Sequence, residues 1–143
     1  MKEYKVKVFS DRIEWYNLNN KLHREDGPAI EWHNGSKEWC LNDKRHREDG
    51  PAAEWSNGTK EWWINGKRHR KNGPAVECTD GSKSWYLNGQ YHREDGPAVE
   101  WSNGNKSWWI NGKQLTEQEF NQRNNCSGKV VEIDGKKYKL TKL

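Results

Sequence analysis

The chain has 143 residues, 25 Lys and Arg against 21 Asp and Glu for a formal charge of +4, and 31% apolar against 32% charged side chains. That length suits a single domain or one short repeat array, and the absence of a long apolar run excludes a spanning helix. Met1-Lys2-Glu3-Tyr4 runs straight into strand-like sequence with no secretory apolar core, so a cytoplasmic protein with no membrane association is expected.

Residues 1–22 read as a degenerate N-terminal capping hairpin. Tyr4, Val6 and Val8 alternate along a strand, Ser10-Asp11-Arg12 makes a weak turn, Phe9 takes the phase of Trp32, and Tyr16 takes the phase of Trp39. From His23 the chain becomes periodic. His-Arg-Glu-Asp-Gly-Pro-Ala starts at His23, His46 and His92, with a variant at His69, a spacing of 23 residues that carries the repeat region from 23 to 115. A fixed period in the twenties is the mark of stacked supersecondary units, each packed mainly on its neighbours.

Within each unit two turn signals lie eight residues apart. Asn34-Gly35, Asn57-Gly58, Asp80-Gly81 and Asn103-Gly104 form one series; Asn42-Asp43, Asn65-Gly66, Asn88-Gly89 and Asn111-Gly112 form the other. Both series predict two-residue type I′ hairpins, whose central residues need positive φ. That register sets Ile30, Trp32, Trp39, Leu41 and His46 on one face, and Glu31, Glu38, Cys40, Arg45 and Arg47 on the other. It also sets Glu31 opposite Glu38 and Glu54 opposite Glu61, pairs that weaken a sheet unless Arg47 and Arg70 neutralise them. At Asp49-Gly50-Pro51 the missing proline donor and the permissive glycine predict a bulge that bends the chain into the next unit.

After Leu115, where another His would fall, the region 116–143 reads as a C-terminal cap. Thr116-Glu117-Gln118-Glu119 has capping-box spacing and predicts a helix through about Arg123. Residues 124–128 read as a loop, and Val130–Ile133, Asp134-Gly135 and Lys136–Leu140 as a last hairpin. Lys129, Lys136, Lys137, Lys139 and Lys142 make this end the most basic patch. The fold class expected is therefore all-β: a single-layer curved antiparallel meander of 23-residue β-hairpin repeats, with a short C-terminal helix and final hairpin. With 10 Trp against 7 Leu, a few very large side chains are expected to build the core. Each fully buried aromatic contributes gross about 4–6 kcal/mol, from roughly 150–250 Å² at about 25 cal/mol per Å². One sheet buries its apolar face only by curling or by being covered, so a homodimer is one solution.

Cys40, Cys78 and Cys126 are an odd, unpatterned set and are expected as free thiols. His23, His46, His69 and His92 occur once per unit beside an aromatic, and the third copy, His69-Arg70-Lys71-Asn72, lacks both acids. A packed, hydrogen-bonded role fits this better than a metal site or catalysis, so no metal, no cofactor and no enzyme activity are expected. The candidate site is the charged face. There Trp63, Tyr86 and Trp109 run beside Arg45, Arg68 and Tyr91, with Arg47, Arg70 and Arg93 one step along. Arginine grips anions in a bidentate way, and an exposed aromatic offers a stacking plane or a protein hot spot. Interleaved charges disfavour nucleic acid. The expectation is a non-catalytic binding protein; sequestration of a small anionic ligand, such as a nucleotide signal, is the alternative, and weak nucleic-acid binding a distant third.

The run Trp62-Trp63-Ile64-Asn65-Gly66-Lys67-Arg68-His69, followed by Gly73 and Asp80-Gly81, resembles MORN-type repeats, in particular an antitoxin-like variant and small bacteriophage-encoded repeat proteins. The resemblance spans about Ile13 to Leu115 and departs from the usual pattern at Arg24, Arg47, Arg70 and Arg93, where glycine is usual after the His. It implies a β-hairpin scaffold used for binding, with no active site to carry over. For this chain it further implies a phage product that acts on a host protein in the host cell cytoplasm, in counter-defence or host takeover.

Overall fold

A computed structural model describes residues 2–126 and 130–139. β1 (Lys5–Val8) turns through Ser10-Asp11 into β2 (Arg12–Tyr16), with Val8 opposite Ile13. Each repeat then adds a first hairpin and a smaller second one. In order these are β3 (Ile30–Trp32) and β4 (Lys37–Glu38), then β5 (Cys40–Leu41) and β6 (Lys44–Arg45). Next come β7 (Ala53–Glu54) and β8 (Lys60–Glu61), then β9 (Trp63–Ile64) and β10 (Lys67–Arg68). The third repeat supplies β11 (Val76–Glu77) and β12 (Lys83–Ser84), then β13 (Tyr86–Leu87) and β14 (Gln90–Tyr91). The fourth ends the series with β15 (Val99–Glu100), a longer β16 (Lys106–Ile110) and β17 (Lys113–Leu115). The first hairpins join in one open eleven-stranded antiparallel meander, β1-β2-β3-β4-β7-β8-β11-β12-β15-β16-β17.

The second hairpins form a ladder beside that sheet. The amides of Gly66, Gly89 and Gly112 donate to the carbonyls of Arg45, Arg68 and Tyr91 in the preceding unit, at 2.8–3.0 Å. These are two-residue turns as expected, with positive φ at both centres: 51° and 66° at Asn42-Asp43, 49° and 77° at Asn65-Gly66. The histidine of one unit ties to the turn of the next. Nδ1 of His46, His69 and His92 lies 3.1 Å from the backbone N of Asn65, Asn88 and Asn111, and in His46 and His69 it also lies 3.0 Å from the Asn65 and Asn88 Oδ1.

The first-hairpin register differs from the expected one by a residue. Trp32 N–H donates to Ser36 O, and Ile30 faces Glu38 while Glu31 faces Lys37, so the loop has three residues and only its glycine takes positive φ, 91° at Gly35. Asn34 instead uses its side chain, accepting the Ser36 N–H at 2.9 Å. A three-residue loop closing on a left-handed glycine is the alternative that an Asn-Gly pair also permits. The slip removes the Glu–Glu clash. In its place a row of alternating charge crosses the sheet: Glu31, Lys37, Glu54, Lys60, Glu77, Lys83, Glu100, Lys106, each facing the next.

The N-terminal phase is also shifted. Trp15, not Tyr16, stands where Trp39 stands: its N–H donates to Ala29 O as Trp39 N–H donates to Ala52 O, and its carbonyl accepts the His23 N–H. The first unit has one extra loop residue, closed by Asn17 N–H to Lys21 O.

The His-Arg step joins the units. Arg47 lies over the Trp39 ring with Cζ 4.1 Å from its centroid, and donates from Nε to Asp49 and from Nη1 to Pro51 O and Glu54. Arg24, Arg70 and Arg93 lie the same way over Trp15, Trp62 and Trp85, at 4.3, 3.7 and 3.9 Å. A Cβ at Gly50 would sit 2.9 Å from Arg47 Cζ, so the glycine leaves room for the guanidinium.

Tryptophan does not fill the core; no large side chain among the described residues is fully buried. The deepest residues are alanines, Ala53 on β7 and the repeated Ala29, Ala52, Ala75 and Ala98, each 0% exposed. Each of the four repeated alanines follows Pro at the crossing between units, where its carbonyl accepts from Trp15, Trp39, Trp62 or Trp85 of the preceding unit. At the far end Phe120 is buried on α1 (Glu117–Cys126), which packs on β16 and β17 and is capped by reciprocal Thr116–Glu119 bonds. The helix runs past Arg123 to Cys126, replacing the expected loop at 124–126. β18 (Val130–Ile133) and β19 (Lys136–Lys139) form the last hairpin; Lys129, Leu140 and Lys142 lie outside the described residues.

Ala75→Leu should overpack this crossing and lower stability by about 1–3 kcal/mol in urea unfolding. Lys60→Glu tests the register. It sets like charges against Glu54 and Glu77 and should cost about 1 kcal/mol, whereas the unslipped register puts Lys60 opposite Trp55 and would show no such loss.

Candidate functional site

A strip of arginine and aromatic rings runs where the second hairpins meet the sheet. Cross-strand pairing sets Cys40 against Arg45, Trp63 against Arg68, Tyr86 against Tyr91 and Trp109 against Gln114. Along it Arg45 Cζ lies 5.2 Å from the Trp63 ring, and Arg68 lies between Trp63 at 5.1 Å and Tyr86 at 5.4 Å. Tyr86 stacks on Tyr91 at 4.3 Å, and Tyr91 meets Trp109 at 5.3 Å. Six expected site residues, Arg45, Trp63, Arg68, Tyr86, Tyr91 and Trp109, are thus brought into one row.

Arg47, Arg70 and Arg93 are not part of it. They stack on Trp39, Trp62 and Trp85, and they line separate recesses with the His-Arg loops. The strand breaks at Trp39, between β4 and β5, so period-two counting could not carry Arg47 onto the right face.

The strip also contains residues that sequence reasoning missed. Beneath it lie the buried side chains Glu14, Glu38, Glu61 and Ser107. Arg45 Nε donates to Glu38 Oε2, so Arg45 and not Arg47 neutralises that carboxylate. Glu61 receives three donors: Trp55 Nε1 at 3.1 Å, Trp63 Nε1 at 3.0 Å and Arg68 Nε at 3.2 Å. Trp55 adds its ring, 5.6 Å from Arg45 and 6.1 Å from the Trp32 ring. The apparent Glu–Glu clash was the signal that these carboxylates had partners elsewhere.

Burial and bonding shift several groups. Burial pushes the Tyr86 phenol up to about 12, helped by its bond to Tyr91, and a bond to Glu14 holds Tyr16 at about 12. Burial acts to raise Glu14, but bonds from Tyr16 and Arg12 outweigh it and hold that carboxyl below its ordinary range. Cys40 is buried and raised to about 12 by desolvation and by Glu38, which makes it a poor nucleophile; Cys78 is raised too. Both are free thiols. Among the described residues no three His, Cys, Asp or Glu side chains stand together as metal ligands, and no helix is long and apolar enough to cross a membrane.

A recess of about 640 Å³ opens on the strip between Glu38, Cys40, Arg45 and Trp63. Its walls include the Trp63 ring, the Arg45–Glu38 pair, Lys44 and Lys67, groups for stacking and hydrogen bonding. The fold and the strip define an open β-hairpin repeat protein with one decorated face. No family model, curated protein or solved structure matches the chain.

Because the Tyr86 phenol ionises near 12 when folded and near 10 when unfolded, the unfolded chain releases that proton first as pH rises. Stability should therefore fall from about pH 10 toward 12. Thermal melts across that range should show a smaller loss for Tyr86→Phe.

Proposed function

We propose that the chain is a non-catalytic binding protein that engages a partner protein through the strip from Arg45 to Trp109. The observation that supports this is the self-neutralised row of half-buried rings and arginines. Arg45 and Arg68 already pair with Glu38 and Glu61, so the strip offers planar, partly desolvated surface more than unbalanced positive charge. That surface suits a protein hot spot, where aromatic and arginine side chains carry most of the binding energy. A small anion would have to compete with buried carboxylates for the same guanidinium groups, which makes sequestration of a nucleotide signal the weaker reading. Nucleic acid is weaker still, since Glu and Lys alternate across the sheet.

The repeat of one unit along a face also fits adhesion better than turnover, which needs one asymmetric cluster. With the resemblance to antitoxin-like MORN-type repeats, the reading extends to a phage-encoded product acting on a host protein in the host cytoplasm. A homodimer that covers the strip is the competing use of the same face.

Native mass spectrometry of the protein before and after incubation with host lysate tests this reading. A protein-sized addition is expected that Trp63→Ala with Arg68→Ala reduces at least tenfold, and that Glu48→Ala, exposed among the His-Arg loops, leaves intact. Capture unchanged in the double variant, or a small-molecule addition alone, would remove the strip as a protein-binding face.

A further inference from the structure

The inner row of the sheet is open at one place. Glu14, Ile30, Glu38, Ala53, Glu61, Val76, Ser84, Val99 and Ser107 face one another in succession across the strands. All are buried except Val76 and Ser84, which are half-exposed. The repeat supplies the reason. In the second unit the Trp55 indole lies by this row, donates to Glu61 Oε1 and approaches Arg45. Trp32 holds the same phase in the first unit and Trp101, 45% exposed, in the fourth, but the third has Cys78 there.

With Cys78 in place of an indole, Val76 and Ser84 stay half-exposed, and we read this opening as a shallow notch. Val76 is an apolar floor, and Arg68 stands where Arg45 stands beside Trp55. Ser84 takes the place of Glu61, and among the described residues its hydroxyl has no hydrogen-bond partner. A serine at this phase can accept an indole N–H: Trp109 Nε1, from the strip position that Tyr86 holds in the third unit, donates to Ser107 Oγ at 2.8 Å. A flat apolar ring with a single donor therefore satisfies the notch. A nucleobase brings several polar edges for one hydroxyl to meet.

We propose that the notch over Val76 and Ser84 receives a tryptophan side chain of the partner protein, its ring against Arg68 and its indole N–H on Ser84 Oγ. The assignment rests on the strip being a protein-binding face and names the residue that the partner contributes. Cys78 is then the position at which the repeat yields its own tryptophan to another chain.

N-acetyltryptophanamide is the probe, titrated into the isotope-labelled full chain and followed by backbone amide shifts. Saturable shifts centred on Val76, Cys78 and Ser84 are expected. Ser84→Ala should weaken them roughly fivefold at unchanged melting temperature, the effect of one lost hydrogen bond. Cys78→Trp should abolish them and melt higher, and Cys78→Leu provides a smaller plug if the larger one fails to fold. Shifts that are absent, centred elsewhere or retained in a folded plugged variant would overturn the proposal, as would adenosine shifting the same amides more strongly. If Trp63→Ala with Arg68→Ala loses lysate capture while the probe never binds, the notch is wrong and the strip stands. If the probe binds but nothing is captured, the strip reading fails by itself.

Discussion

The arginine of each His-Arg step is the contact on which the rest of the architecture depends. Its guanidinium lies flat between a tryptophan ring of the preceding unit and the glycine of its own loop, and bonds a proline carbonyl and a strand glutamate of the next hairpin. The clasp thereby ties the loop between units to the Trp39 segment and to β7, which is paired with β4. A cation over an aromatic face contributes about 0.5–1 kcal/mol when exposed and about 2 when desolvated, and it recurs here in every repeat. Strands of two or three residues cannot hold a sheet by ladder bonds alone, so the clasp repeated along the array does what longer strands do elsewhere.

That contact also explains why the core is made of alanine. Trp15, Trp39, Trp62 and Trp85 stay half-buried with an arginine over each ring. The two ladders then cross closely at Pro-Ala, where a side chain larger than a methyl has no room and where the backbone bonds to units on both sides. Burial in this molecule is backbone against backbone at the crossings, with aromatic and charged side chains layered outside.

The strip follows from the same economy of space. Inner-row carboxylates at Glu38 and Glu61 are acceptable under the second hairpins because arginine and indole donors converge on them. Toward the C-terminal end the row changes to Ser84 and Ser107, and the ring row changes with it, from Arg45 and Arg68 to Tyr91 and Gln114. The face grades from ion-paired to aromatic, and the opening at Cys78 lies where one character gives way to the other.

Period, turn positions, the open meander, the helix cap and six members of the strip were legible in the sequence, because each rests on spacing between near neighbours. Asn65-Gly66 specifies a tight turn wherever it stands, and Thr116 with Glu119 closes a helix start locally. Three features were decided only in the folded chain. An Asn-Gly pair suits both a two-residue and a three-residue loop, and at Asn34-Gly35 the folded chain takes the latter, which sets Glu31 against Lys37. The face of Arg47 depends on the strand break at Trp39, which alternation does not register. The partners of Glu61 come from Trp55, Trp63 and Arg68, on three different segments, and long-range convergence of that kind is written in tertiary packing, not in the local order of residues.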